Sequence, residues 1–489
     1  MSLIRYLPLL PLSLALPLSA CGDAVTVDDT GGTGGTDTGG GGSATVDVGG
    51  SGGTGQLGGA GGGTDPGPEA DWHAQLTGPQ SQDSMAMTID GDGRVVVAGS
   101  SAGVADLGAG YDVGPAAEGL FVTVFNQDGT TAFVRRFPAV GVTCTDVQTD
   151  AEGNIVVTGL FSNGPLELGD IVLTPTGQTD GFVGKLDRDG HPLWAHAHGE
   201  AETFSVGGAI AIDPQGTIFH IGNQGAELYV ARISAAGEVV FEHREGSIFS
   251  PFSFFSAAKA AVVGADDHLY VTGTFGSGAV LGPMVSDDGG QKVFVASLSP
   301  WTGEPLWAKA FGDPKAYYSN EAGGIAVEPG GDVIVSGSFA GTMDLGGGAL
   351  PGNVFVTRLS SLDGEHVWSH GFGQEPKITQ VATAPGGRLL LMSSLTKAAE
   401  IAGATMPPGS YLAEVSAETG DLLGTRPLPE IGSMISTTQH GFFGLGEMAV
   451  GPGGEAAVMS SFFGPYSTSL GTFESAGWSD VFVVHLSAW

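Results

Sequence analysis

A repeat of about 60 residues, present seven times between residues 71 and 489, constrains this chain more than any other feature of its sequence. The first half of each copy reads as a strand, a Pro/Gly/Asp turn and a second strand. It appears as TIDGDGRVVVAGS from Thr88, VQTDAEGNIVVTGLF from Val147, AIDPQGTIFHIGN from Ala211 and VVGADDHLYVTGTF from Val262. It returns as AVEPGGDVIVSGSF from Ala326, ATAPGGRLLLMSS from Ala382 and AVGPGGEAAVMSSF from Ala449. Aligned on the turn, the copies bring Gly93, Gly153, Gly216, Asp267, Gly331, Gly387 and Gly454 into register. Val333 and Val335 alternate with Ile334 and Ser336, the period of a strand, and the turn residues suit tight hairpins that need positive φ. The second half is another hairpin, opened in every copy by an aromatic: Phe121, Phe182, Tyr229, Phe294, Phe355, Tyr411 and Phe482.

Each copy therefore holds four antiparallel strands, except that the seventh stops at Trp489 before its fourth. The missing strand is found at the other end of the repeat region, where Asp71-Trp72-His73-Ala74-Gln75-Leu76 mimics Leu193-Trp194-Ala195-His196-Ala197. A ring whose last blade borrows this strand covers its own edge. The expected fold is all-β, a seven-bladed β-propeller of four-stranded antiparallel blades over 71–489, closed by an N-terminal strand and monomeric. The 85 glycines then serve turns, and the two cysteines, Cys21 and Cys144, give no disulfide framework.

The repeat core I-x-x-D-x-x-G-x-I-x-V-x-G-x-F followed by F-V-x-K-L-x-x-x-G-x-x-x-W resembles that of bacterial seven-bladed β-propeller repeat lipoproteins. The endings Gly190 to Trp194, Gly303 to Trp307 and Gly364 to Trp368 are also similar to the tryptophan-docking repeats of pyrroloquinoline-quinone enzymes. Phe133 and Phe241 take the Trp position in two copies and Gly424 in another. The first resemblance implies extracytoplasmic interaction roles and no particular reaction.

Residues 1–20 carry one Arg and then a Leu-rich run broken by prolines, the pattern of a secretory signal. The run ends Leu18-Ser19-Ala20-Cys21, which resembles a lipobox, so Cys21 is expected to be lipidated and to become the first mature residue. The residue after it is Gly22, with Asp only at 23, which by analogy with sorting in enteric bacteria favours the outer membrane. Residues 22–70 are rich in Gly, Thr and Asp with no aromatic and no base, a composition expected to form a flexible tether. The expected organisation is a lipoprotein signal at 1–20, a lipidated Cys and tether at 21–70, and the propeller at 71–489.

A net charge of −35 repels phosphate backbones, so no nucleic-acid partner is expected. Binding is expected on the propeller face that carries the longer connections, at 101–119, 276–291, 427–444 and 463–479, since loops on a rigid scaffold carry function. Aromatics gather there: Phe249, Phe252, Phe254 and Phe255, then Tyr317 and Tyr318, Phe442 and Phe443, and Phe462, Phe463 and Tyr466. They read either as a platform for a protein or glycan partner or as caps over the seams between blades.

No catalytic set, cofactor or metal site is expected. Gly99-Ser100-Ser101-Ala102-Gly103 matches G-x-S-x-G, but Ser101 leaves a strand rather than a strand-to-helix elbow. His191, His196 and His198 cluster, yet the His196 position is Arg135, His243, Lys309 and His370 elsewhere, a polar outward lane. Asp90 with Asp92, and Asp187 with Asp189, fall in turns where Asp accepts backbone N–H bonds. Cys144 reads as a buried apolar residue. The alternative is a quinoprotein-like or hydrolytic propeller enzyme, which would need acids, Arg or His to converge from several inner strands on the central channel.

Overall fold

The computed structural model describes residues 70–488 except 79–81, 104, 109–110, 113–117, 249–257, 287–288, 317–319, 373–375, 396–397, 402–403, 430–446, 463–464 and 476–479. The signal-like segment, Cys21 and most of the Gly-rich tract lie outside the described residues. Within them all regular structure is β, and it forms seven four-stranded antiparallel sheets, the blades of a β-propeller. Blades one to six span residues 82–138, 143–198, 205–245, 258–311, 321–372 and 376–427. Blade seven takes three strands from Glu447–Val450, Ala456–Phe462 and Asp480–Leu486, and its fourth from Ala70–Leu76.

The closing strand pairs as the repeat arithmetic requires, His73 with Val484, Ala74 with Val483, Gln75 with Phe482 and Leu76 with Val481. Side chains secure it further: Gln75 Nε2 donates to Glu474 O at 3.1 Å, and Gly78 N donates to the buried Asp480 carboxylate at 3.0 Å. In every blade the outer strand carries a bulge one residue before the Trp position, at Asp71, Ala132, Leu193, Val240, Leu306, Val367 and Leu423. A bulge there breaks the row of free backbone groups that a flat outer edge would offer to another chain.

The core lies in the seams, where the face of one blade meets that of the next. All seven aromatics that open the second hairpin are buried there, none more than 4% exposed. One apolar cluster joins blades one and two through Val122, Phe137, Val157, Phe161 and Phe182. Another joins blades three and four through Phe219, Val230, Phe275 and Phe294.

A second layer of contacts ties six of the seven blades to their successors. The indole of Trp72 donates to Gln127 O at 3.0 Å, that of Trp194 to Ala235 O at 3.3 Å, that of Trp307 to Ser361 O at 2.9 Å and that of Trp368 to Ala417 O at 3.3 Å. Each acceptor lies in the turn between the third and fourth strands of the next blade, and the ring rests on that turn's glycine. At Gly237, where φ is +90°, a Cβ would come within 2.6 Å of Trp194 Cγ, so glycine is needed both for the backbone and for the approach of the ring. Phe133 on Gly190 and Phe241 on Gly303 complete six such seams.

The connections between second and third strands are less free than their length suggests. Residues 166–173 and 279–286 each fold into a small two-stranded hairpin, and similar pairs form from Ala105–Asp106 with Tyr111–Asp112 and from Pro465–Thr468 with Gly471–Glu474. Leu166, Leu168, Ala279 and Leu281 of these hairpins are buried.

Candidate functional site

The first strands of successive blades stand side by side around the axis, and each described bulge in them precedes a residue at one common level. By register these residues are Ala86, Asp146, Ala209, Ala260, Gly324, Gln380 and Glu447. Four are small and three polar, and two of the polar ones, Gln380 and Glu447, meet. Gln380 donates through Nε2 to Glu447 and accepts from Met448 N at 2.6 Å. Lys259, the bulge residue of blade four, reaches across the axis to Glu447 of blade seven, Nζ to Oε1 3.7 Å, with its side chain 45% exposed. Asp146 accepts from Ile210 N at 2.8 Å and from Gln148 Nε2 at 3.1 Å. Burial, reinforced by the charge of Glu447, pushes its carboxyl up to about 6. Two carboxyl groups, an amide and an ammonium from blades two, four, six and seven thus face one channel, an arrangement suited to holding a small polar group or passing a proton.

A second polar group lies in the seam between blades two and three. The imidazole of His198 stacks on the Tyr229 ring, centroids 3.9 Å and planes 6° apart, and lies 5.0 Å from His220. His220 Nε2 meets Thr158 Oγ1 at 2.9 Å, and Thr158 in turn donates to Phe182 O at 2.6 Å. Tyr229 donates to Glu242 at 2.7 Å, and burial holds its phenol well above the usual range. Burial lowers His198 to about 4 and also lowers His220, with the neighbouring His198 adding to the effect. Gly181 and Gly207 leave room for these rings, since a Cβ on either would lie within 2.5 Å of an imidazole atom. Tight packing of this kind makes the group part of the seam.

The residues singled out in the sequence fall as follows. Ser101 is buried on strand Val95–Ala102, paired with Gln82 and Gly119, away from any helix start. His191 bonds Asp187 at 3.1 Å, while His196 donates to Gly237 O at 2.8 Å in the next blade, as Arg135 does to Asp189 O at 2.8 Å. The polar lane is therefore a set of blade-to-blade ties. Asp90 and Asp187 accept the N–H groups of their own turns. Cys144 is buried, and burial raises its thiol far above the usual range. Among the described residues no three His, Cys, Asp or Glu side chains gather as a metal site.

Of the eleven loop aromatics, Phe249, Phe252, Phe254, Phe255, Tyr317, Tyr318, Phe442, Phe443 and Phe463 lie outside the described residues, as does the side chain of Tyr466. Phe462 is 2% exposed, its ring 6.2 Å from Phe482 and 6.3 Å from Phe473. That ring caps a seam and is not available to a platform. The axial group, by contrast, was not anticipated. The inner strands read as rich in Ala, Val, Ile and Thr, and only the bulge register puts Asp146, Gln380 and Glu447 at one height.

No family model and no curated protein matches the chain. Solved structures do. A protein of unknown function from Dyadobacter fermentans is 12% identical, with a TM-score of 0.44, covering 87% of this chain and 100% of that one. BamB from Moraxella catarrhalis is 12% identical at a TM-score of 0.37, covering 83% and 84%. A europium-containing methanol dehydrogenase is 10% identical at a TM-score of 0.39, covering 86% and 93%. The assignment of a seven-bladed β-propeller rests on the chain's own seven four-stranded sheets.

Proposed function

We propose that this is a lipid-anchored envelope protein whose propeller is a non-enzymatic binding or scaffold module for a protein or glycan partner. The observation that supports it best is the use made of the chemically able side chains at the seams. His191, His196, His198, His220 and Cys144 are engaged in turns, blade-to-blade ties or packing, so the ring serves as a rigid frame for its loops. The lipobox-like Leu18-Ser19-Ala20-Cys21 supports the anchor, and the absence of Asp at position 22 supports the outer membrane. Acyl chains on Cys21 would hold the protein durably, at about 0.8 kcal/mol per buried CH₂. Globomycin treatment, or Cys21→Ala, is expected to leave a larger precursor without acyl label, and unchanged processing removes the anchor. Protease access in intact cells then tells surface display from the periplasmic side.

The alternative, a propeller enzyme working in the channel, is favoured by the convergence of Asp146, Lys259, Gln380 and Glu447. Titration with pyrroloquinoline quinone and a hydrolase panel decide between the two. A spectral change or turnover that Asp146→Asn and Glu447→Gln both abolish would establish the enzyme, and neither signal is expected.

A further inference from the structure

In the third strand of each blade one residue pairs directly with the Trp position and so shares its face of the sheet. Five of these residues are ionisable: Lys185 opposite Trp194, Arg232 opposite Phe241, Arg358 opposite Trp368, Glu414 opposite Gly424 and His485 opposite Trp72. Four have an ionisable partner. Lys185 meets Asp150 at 2.7 Å, Arg358 meets Glu328 at 3.0 Å and Asp332 at 2.9 Å, Glu414 meets Arg388 at 2.7 Å and His485 meets Asp71 at 3.1 Å. Among the described residues no carboxylate pairs with Arg232. Asp213, which corresponds to Asp150, accepts instead from Gln215 N at 2.9 Å and Thr217 N at 2.8 Å in its own turn. Arg232 Nε is shut off from solvent without a hydrogen-bond partner, while the residue as a whole is only half-buried. A guanidinium in that position lacks the anion that its siblings have.

What Arg232 has instead is an indole. The turn between the third and fourth strands of blade four is one residue longer than that of blade three, since Ser299 N donates to Glu304 O where Ser234 N donates to Glu238 O. The longer turn carries Trp301 back over the seam. Its ring centroid lies 4.4 Å from Arg232 Cζ, and the ring of Phe219 lies at 6.0 Å from the same atom. Trp301 is nevertheless 66% exposed. A cation against part of the ring fixes it, and the rest of the indole is left as a stacking surface in water.

We propose that Arg232 and Trp301 form a binding site for a pyranose that bears a carboxylate, a uronic-acid residue of a glycan. The carboxylate pairs with the open part of the guanidinium, and a C–H face of the sugar lies on the indole. The inference rests on the reading of the propeller as a glycan-binding module and places a site on the face of the tight turns, opposite the long connections. The charge balance selects the ligand further. One guanidinium in a chain of net charge −35 suits a single carboxylate on an otherwise neutral ring, whereas the surrounding field repels a dense polyanion.

The test titrates the full chain with methyl glucuronide, its methyl ester and methyl glucoside, followed by saturation-transfer NMR and by indole emission. The glucuronide is expected to bind, and the ester and glucoside to bind at least about tenfold more weakly. Trp301→Ala and Arg232→Gln should each weaken the glucuronide by about tenfold, with Arg232→Lys in between because it keeps the charge and loses the planar fork. Trp301→Ala changes an exposed side chain, so it should melt with the parent and its loss of binding is not a loss of fold. No binding of the glucuronide, equal affinity for acid and ester, or binding that survives Trp301→Ala would overturn the proposal. So would acetate binding as tightly, which would mean an anion site alone, or a peptide with a free C-terminus binding more tightly, which would mean a protein partner. Neutral glycans retained by Trp301→Ala would sink this site and leave the glycan-binding reading standing.

Discussion

The indole of Trp72 lies flat against the imidazole of His485, ring centroids 5.3 Å and planes 4° apart. The same imidazole meets the carboxylate of Asp71 at 3.1 Å, and the indole N–H reaches the first blade at Gln127. One residue near the start of the ring thus joins its last blade to its first.

Closure is therefore expected to rest on Trp72. Trp72→Ala should cost about 3–5 kcal/mol, as large aromatic truncations do. A chain starting at Ala70 should melt with the full-length protein, and one starting at Gly78, which bares the edge of strand Asp480–Leu486, well below it. Equal melting temperatures for the two truncations would refute closure by this strand.

The turn glycines allow a graded comparison. Gly331 has φ +102° with open space at its Cβ position, so Gly331→Ala should cost only the backbone strain, about 1–2 kcal/mol. Gly237 adds the collision with Trp194, so Gly237→Ala should cost clearly more in urea melts of unchanged slope. Equal costs would mean that the ring moves aside freely.

Stability should fall as pH drops from about 6.5 towards 4. His198 stays neutral in the folded protein down to about 4, and His220 is shifted in the same direction, whereas an unfolded imidazole takes its proton near 6.5. In that window the unfolded chain holds more protons, so each histidine removes up to about 1.4 kcal/mol per pH unit. The charges bearing on this seam include Asp180, which favours the imidazolium of His198, and Glu242, which accepts from Tyr229. Asp146 acts in the opposite sense, since its folded value of about 6 lies above the unfolded one and the folded state gains protons first. His198→Phe should flatten the profile and Asp146→Asn should steepen it. The reverse pattern in pH-dependent urea melts would contradict both assignments.

Lys185 and Asp150 form a buried pair at 2.7 Å, with side chains 3% and 1% exposed. Lys185→Met strands the carboxylate and should cost about 3–5 kcal/mol. Adding Asp150→Asn should recover part of this, because the neutral amide can still accept the N–H bonds of Glu152 and Asn154. No recovery in the double variant would show that the turn needs the charge itself.

The number of blades, their four strands, the turn glycines and the closing strand were legible in the sequence because they recur. A repeat forces the same local choice seven times, and Trp72 could be matched to Trp194 by its neighbours alone. The aromatic that opens each second hairpin, Tyr229 and Phe355 among them, was legible by the same recurrence, whereas its burial in the seams came from the packing of the blades. What the sequence could not give is the meeting of residues that occupy different places in the chain and occur only once or twice. Asp146, Lys259, Gln380 and Glu447 look unrelated until the inner-strand bulges bring three of them to one level and the ring turns Lys259 to face Glu447. His198 and His220 belong to different blades and become neighbours only where those blades pack. Gly424 stands at the Trp position of blade six, and among the described residues the third strand of blade seven is followed by no hairpin. Periodicity along the chain sets what each blade is, while closure of the ring decides which blades share a face and which side chains share the axis.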